Sequence, residues 1–135
     1  MASSIAPIGS RRWAVADVYI PTWSNGPAPE MVSHDAINVL NANDVEGRVR
    51  LTLFFEDREP VQYGFTVGAR RTHHQRLNDL DDPEPVPRGL GCSAVVECDV
   101  PVVVQQTRLD SRQAENALVS TIAFPQDPDP PGEKP

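Results

Sequence analysis

The chain has 135 residues, a formal net charge of −7 and a hydrophobic fraction of 39%, and these totals exclude several classes of protein. The length suits a single domain with a buried core. No apolar run approaches the ~20 residues that span a bilayer, and the N-terminus lacks the basic start and apolar stretch of a signal peptide. We therefore expect a cytoplasmic protein. The acidic balance disfavours nucleic acid as a partner, because phosphates are contacted mainly by Lys and Arg.

Short segments of alternating apolar and polar residues, separated by turn residues, recur along the chain and predict β-strands. The clearest segment is 48–55, in which Val49, Leu51 and Leu53 face one way. With the segment 61–67 it predicts a hairpin. The other predicted strands are 13–19, 36–41, 70–76, 93–98, 102–107 and 118–124. The three valines of 102–104 predict a central strand that is buried on both sides.

The spacing of these strands predicts an all-β fold, because turn signals about ten residues apart are typical of sandwiches and barrels. Helical periodicity is confined to one predicted turn at 111–117, which Asp110 or Ser111 would cap. We predict a flexible N-terminus over 1–10, one folded domain over 11–125 and a disordered, acidic, proline-rich tail over 126–135.

The two cysteines, Cys92 and Cys98, flank the predicted strand 93–98. Six residues of strand separate them by about 20 Å, well beyond the ~7 Å Cα separation that a disulfide tolerates. We therefore expect two free, buried thiols that point to the same face.

Motifs that mark common enzymes are missing: a glycine-rich phosphate loop, a nucleophile elbow and a paired-cysteine zinc motif. The tripeptide 33–35 contains the residue types of a catalytic triad, but sequence neighbours cannot adopt its geometry. His73 and His74 point to opposite faces of a predicted strand and would meet His34 at a metal only by coincidence. The sequence predicts a binding protein with no metal and no cofactor. A sugar-modifying enzyme that uses the acidic pair 81–82 is the weakest alternative.

Two of the three candidate binding segments are a proline-rich loop and a basic strand. The proline-rich loop 19–30 places Tyr19, Trp23 and Asn25 close together in sequence, and aromatic faces beside hydrogen-bonding groups suit a sugar ring. The basic segment 70–76 places Arg71 and His73 on one face of a predicted strand. That face is either an anion-binding or polar-ligand surface, or a solvated surface whose arginines pair with nearby carboxylates.

The densest polar segment is 105–116, which directly follows the three valines. Its polar groups begin at the edge of the core, where unpaired groups are costly. They must pair with one another, with a ligand or with another subunit. The sequence does not decide between a turn whose polar groups bond to one another and a contact with a ligand or subunit. The candidate ligand-binding side chains of this segment are Arg108, Asp110, Arg112, Gln113 and Glu115.

Ordered blocks of the sequence resemble the sensory rhodopsin transducer family. The blocks span residues 13–124 and comprise Trp13-Ala14, Tyr19-Ile20-Pro21, Asn25-Gly26-Pro27, Ser33-His34, Leu40-Asn41, 55–60, 69–72, 103–105, 107–118 and 120–123. The resemblance marks His34 and the segments 70–73 and 108–115 as shared positions. The cysteine pair and the proline-rich tail depart from the family pattern.

This resemblance implies an antiparallel, jelly-roll-like β-sandwich of about eight strands that assembles as a homotetramer with cyclic symmetry. It also implies a small-molecule-binding protein, with sugars or related metabolites as ligands, and in some members a partnership with a membrane photoreceptor or a role in transcriptional control. Our leading hypothesis is a non-catalytic module that binds a small polar, carbohydrate-like metabolite and relays its state to a partner. The alternative is a transducer that meets a receptor protein or DNA and binds no metabolite.

Overall fold

A computed structural model describes residues 8–126. The predicted flexible N-terminus and disordered tail fall mostly on residues outside this range. The elements are β1 (Ser10–Val18), β2 (His34–Asn41), β3 (Gly47–Phe55), β4 (Val61–Val67), β5 (Arg71–Arg76), a 3-10 turn (Leu77–Asp79), β6 (Cys92–Asp110), β7 (Ala117–Ile122) and β8 (Phe124–Pro125). Within residues 8–126, no helix is long and apolar enough to cross a membrane.

The eight strands pair in antiparallel fashion throughout, and the long strand β6 pairs directly with four of them, β1, β2, β3 and β7. The first half of β6 lies between β1 and β3, in the order β4-β3-β6-β1-β8. Its second half lies between β2 and β7, and β5 pairs with the other edge of β2. The predicted all-β antiparallel class and the count of eight strands are confirmed.

β6 corrects the prediction of two separate strands at 93–98 and 102–107, because it runs without interruption from Cys92 to Asp110. Its pairing with β3 ends at Cys98, and its pairing with β2 begins at Val103. Pro101 falls between these two ladders. Its missing N–H therefore costs no inter-strand hydrogen bond, and a proline that looks like a strand break marks the passage of β6 from one group of strands to the other.

The predicted helical turn at 111–117 is wrong, since these residues form a bend that leads into β7. The N–H and hydroxyl of Ser111 bond to Ser33 and Met31 on another loop, so Ser111 is not available to cap a helix. The predicted double-sided burial at 102–104 holds only in part, because Val103 is half-buried.

The core lies between the two groups of strands and draws on both. Leu51 and Val96 come from one group, Ile37 and Val104 come from the other, and none of these side chains is solvent-exposed. Burying a side chain of this size contributes about 1.5–3 kcal/mol relative to leaving it in water. Both cysteines are free as predicted; Cys98 is buried and Cys92 is half-buried.

Candidate functional site

Arg112 lies at the centre of a cluster that unites five of the predicted site residues. Its guanidinium carbon is 5.7 Å from the ring centroid of Tyr19 and 5.5 Å from that of Trp23. The same guanidinium binds Asp110 through two hydrogen bonds, Nε to Oδ1 at 2.9 Å and Nη2 to Oδ2 at 2.7 Å. Its backbone carbonyl accepts bonds from Trp23 Nε1 and Asn25 Nδ2 at 3.1 and 2.7 Å. Aromatic contacts and a bidentate ion pair hold this arginine in one orientation.

A groove of about 400 Å³ opens beside this cluster, and we call it the Trp23 groove. It is lined by Trp23, Asp110, Arg112, Gln113, Glu115 and Ala117. Trp23 is 59% exposed although its indole N–H is bonded. The groove therefore combines an open aromatic face with carboxylate, amide and guanidinium groups.

Two buried serines position the loops that form the groove. Ser33 Oγ donates to the carbonyl of Trp23 at 2.9 Å and accepts the N–H of Ser111 at 2.9 Å. The two hydroxyl oxygens are 3.1 Å apart. The N–H of Asn25 donates to the carbonyl of Ser111 at 2.6 Å, and Gly26 follows with a φ of 109° that few other residues adopt. Loop 19–33 is thereby fixed to the end of β6.

Below the groove, a buried carboxylate organises a second network. Asp35 is 0% exposed, and its oxygens accept bonds from the N–H of Tyr19 at 2.9 Å and from Gln106 Nε2 at 3.0 Å. Arg108 donates to it from Nε at 3.2 Å and from Nη2 at 3.0 Å. Arg108 Nη1 also reaches Asp17 Oδ2 at 3.3 Å. The Tyr19 backbone thus connects the buried network to the Arg112 cluster.

The electrostatics of these groups follow from burial and from their partners. Burial raises the pKa of the Asp35 carboxyl, although its bonds to Tyr19, Gln106 and Arg108 oppose that shift. Burial would lower the pKa of Arg108, but the two carboxylates outweigh it and the pKa is raised. At the surface, the Arg112 guanidinium lowers the pKa of Asp110. All these arginines remain charged at neutral pH.

Three predicted residues lie outside the Arg112 cluster, the Trp23 groove and the Asp35 network. His34 is buried, and its Nδ1 lies 2.7 Å from the carbonyl of Val32. Arg71 pairs in register with Asn41, at the opposite end of β2 from His34, which is about 23 Å away at strand spacing. His73 stacks on Phe65 at 5.1 Å between ring centroids. None of the three lines the Trp23 groove.

Comparisons with known proteins identify the family of the chain. The family model described as Anabaena sensory rhodopsin transducer matches residues 8–125. The chain belongs to this family. The solved structure of the Anabaena sensory rhodopsin transducer is 50% identical, with a TM-score of 0.70, and the match covers 82% of this chain and 96% of that one. A second solved structure, titled Crystal Structure of Thermotoga maritima 1070, is 32% identical, with a TM-score of 0.78. That match covers 88% of this chain and 97% of the other. No curated protein matches the chain.

Five further side chains support the site in this transducer-family fold, and the sequence reasoning did not select them. They are Asp17, Ser33, Asp35, Gln106 and Ser111. One signal for Asp35 was present: it directly precedes the apolar residues of a predicted strand, and a carboxylate that is buried at such a position needs partners. Residues 33 and 111 also fall within the blocks that resemble the transducer family. Their pairing joins positions 78 apart in sequence, which no local pattern reveals.

Proposed function

We propose that this chain is a non-catalytic signal-relay module that binds a small polar, carbohydrate-like ligand in the Trp23 groove. The observation that carries the proposal is the guanidinium of Arg112 held between two aromatic rings at the wall of a groove with polar groups. Membership of the sensory rhodopsin transducer family supports the relay part.

The lining of the groove suits a sugar ring. The exposed face of Trp23 offers an apolar surface to the C–H face of a pyranose. Gln113 and Glu115 lie on the surface, and within residues 8–126 their side chains make no hydrogen bond, so they are available to hydroxyl groups. Because the oxygens of Asp110 are engaged by Arg112, Asp110 fits the role of orienting the arginine rather than that of a catalytic acid.

Ligand binding would be relayed through the bend 111–116, which carries three lining residues and leads directly into β7. A ligand that orders this bend would restrict the adjoining strand. Among residues 8–126, β7 pairs only with β6, and all six of its residues are exposed. A change in β7 would therefore be presented at the surface, where a partner can detect it.

β7 and β8 also support the expected homotetramer. Leu118, Val119 and Ile122 on β7 and Phe124 on β8 are all more than half exposed. β7 pairs with β6 and β8 pairs with β1, and exposed apolar strands at the edges of a sheet are normally covered. We propose that a neighbouring copy packs here around a cyclic axis. Light scattering should give about four times the chain mass of 14.8 kDa. Ile122→Glu should dissociate the assembly, whereas Val45→Glu, at an equally exposed loop position, should not.

We propose that the partner of the relay is a membrane receptor protein, which the chain contacts from the cytoplasm. One of the solved relatives is itself titled a sensory rhodopsin transducer, which makes a photoreceptor the first receptor to test. Two free cysteines are consistent with a reducing compartment. Co-purification with a membrane fraction that contains the receptor should retain the chain, and Ile122→Glu should reduce that retention if the assembled form is the binding-competent one.

A thermal-shift screen against neutral sugars, sugar acids and polyols tests the ligand. At about a hundred times its Kd, a ligand adds about 2.7 kcal/mol to the free energy of unfolding, which is a readable rise in Tm. The variant Trp23→Ala/Gln113→Ala should keep its fold and lose the shift. A panel without any shift, or a shift that this variant retains, would contradict the proposed site.

A further inference from the structure

A second groove, on the outer face of the sheet and separate from the Trp23 groove, gathers four arginines. Its volume is about 580 Å³, and its basic lining residues are Arg11, Arg12, Arg48 and Arg50. These are four of only twelve basic residues in a chain whose net charge is −7. We call it the arginine groove. Its acidic lining residues are Glu97 and Asp99.

The register of the strands explains why these side chains converge. Glu97 on β6 is the direct partner of Arg12 on β1 and of Arg50 on β3, so the three lie side by side on one face. Arg48 lies two residues before Arg50 and shares its face. A register shift between Ser10 and Arg12 leaves Arg11 exposed as well. Such irregularities redirect side chains and here place two successive arginines at the surface.

The charges in this groove are poorly compensated. Glu97 is shared, since its Oε2 lies 3.8 Å from Arg12 Nε and its Oε1 lies 3.6 Å from Arg50 Nε. Oδ1 of Asp99 accepts the backbone N–H of Arg48 at 2.8 Å. Within residues 8–126, none of the four guanidiniums donates a hydrogen bond to protein.

Six other arginines differ in this respect, because the side chain of each donates a hydrogen bond to a carboxylate or carbonyl oxygen. These residues are Arg58, Arg71, Arg76, Arg88, Arg108 and Arg112. Among the residues that the structure describes, Arg70 has only an ion pair, with its Nε 3.6 Å from Oδ1 of Asp44. Like charges gathered on one face repel one another and destabilise a sheet. The arrangement is therefore better explained by an external anion than by the stability of the fold.

We propose that the arginine groove binds a small molecule with a chain of phosphate groups, such as a nucleoside di- or triphosphate. Guanidinium groups pair bidentately with phosphate oxygens, and several of them suit an oligoanion better than a single charge. The volume falls within the range of small-ligand pockets. A nucleic acid would require a longer basic track and would meet the repulsion of an acidic protein.

Calorimetric titration of the full chain with inorganic triphosphate, ADP and ATP tests this assignment. Saturable one-to-one binding is expected, and the variant Arg11→Gln/Arg48→Gln should bind about tenfold more weakly because two phosphate contacts are lost. The control variant Arg58→Gln/Arg70→Gln removes the same charge elsewhere and should leave the affinity unchanged. Glu97→Gln should tighten binding, since it removes a negative charge from the centre of the groove.

Three results would overturn the assignment. The first is an equal loss in the control variant, which would indicate non-specific attraction. The second is unchanged binding in the groove variant while circular dichroism confirms its fold. The third is tighter binding of a short DNA duplex than of triphosphate. A failure of the sugar screen at the Trp23 groove would not affect this test, because the two grooves share no residue.

Discussion

Asp35 and Arg108 are direct register partners on β2 and β6, and Nη2 of Arg108 lies 3.0 Å from Oδ2 of Asp35. The carboxylate is fully buried, whereas the arginine side chain is 21% exposed. A buried carboxylate needs compensation for its lost hydration, and Arg108 provides much of it from the edge of the core. The candidate ligand-binding residue Arg108 therefore also has a structural task, which separates it from Trp23 and Gln113.

Replacing Arg108 by Met should destabilise the fold by about 3 kcal/mol, because a buried charge loses its charged partner. Urea unfolding at neutral pH measures this loss. Arg58→Met removes an exposed arginine from its pair with Asp57 and should leave the free energy of unfolding nearly unchanged.

The loss of stability in Arg108→Met should depend on pH. Loss of Arg108 raises the pKa of Asp35 further above its ordinary value, so the folded variant takes up a proton more readily than the unfolded chain. The stability difference between wild type and Arg108→Met should therefore shrink as the pH falls and Asp35 becomes neutral. A difference that grows towards acid pH would contradict this account.

Removal of either buried serine hydroxyl should loosen the loops of the Trp23 groove. Ser33→Ala leaves the N–H of Ser111 and the carbonyl of Trp23 without their partner, at a cost of about 2 kcal/mol. The double variant Ser33→Ala/Ser111→Ala should cost less than the sum of the single variants, because either single change already removes the contact between the two hydroxyls. Strict additivity in denaturant unfolding would show that the two serines act independently. Thr66→Ala, at an exposed position on β4, serves as the control.

Cys92 should react slowly although it lies near the surface. Burial raises its pKa from 9.0 to about 11, so at pH 8 its reactive thiolate is about a hundredfold scarcer than in an ordinary thiol. Iodoacetamide labelling followed by peptide mass spectrometry should show much slower modification in the native than in the unfolded chain. Equal rates in the native and unfolded chains would contradict the raised pKa of Cys92.

Cys92 should also make the stability depend on pH. Because the raised pKa favours the neutral thiol in the folded state, the stability contributed by Cys92 should fall as the pH rises from 9.0 towards about 11.

Gly26 should be required for the shape of the Trp23 groove. A Cβ at this position would lie 2.8 Å from Cβ of Met31, on a backbone with a φ of 109°. Gly26→Ala should therefore shift the loop, lower the stability by about 1–2 kcal/mol and weaken ligand binding. Gly91→Ala meets no atom within 4 Å and should leave both properties unchanged. Equal effects of the two substitutions would contradict this role of Gly26.

The sequence predicted the strands well where apolar and polar residues alternate. The segment 48–55 places Val49, Leu51 and Leu53 in the core as expected, because one face of β3 is fixed by the hydrophobic effect. The strand prediction failed at Pro101. Proline was read as a strand break, whereas β6 continues through it and changes its pairing partners there. It failed also at 111–117, where contacts with a distant loop replaced the hydrogen bonds of a helical turn.

Residue type alone was enough to select most of the candidate site residues, but it could not show which of them lie together. Tyr19, Trp23, Asn25, Asp110 and Arg112 were each plausible alone, and only the fold shows that one arginine contacts the other four. Arg71 and His73 shared the same polar character, yet the register of β5 places them elsewhere. The arginine groove depends on cross-strand register between residues 12, 97 and 50, and no local pattern encodes that.

The fluorescence of Trp23 tests the central claim most directly. The chain has two tryptophans; Trp13 is 4% exposed and Trp23 is 59% exposed, so a sugar that stacks on Trp23 alters the emission of the exposed residue. Titration with each sugar that raises the Tm should give a saturable blue shift in the wild type. The variant Trp23→Phe, which keeps the emission of Trp13, should give none. A saturable shift of the same size in Trp23→Phe, or no shift in the wild type at sugar concentrations that raise its Tm, would contradict binding in the Trp23 groove.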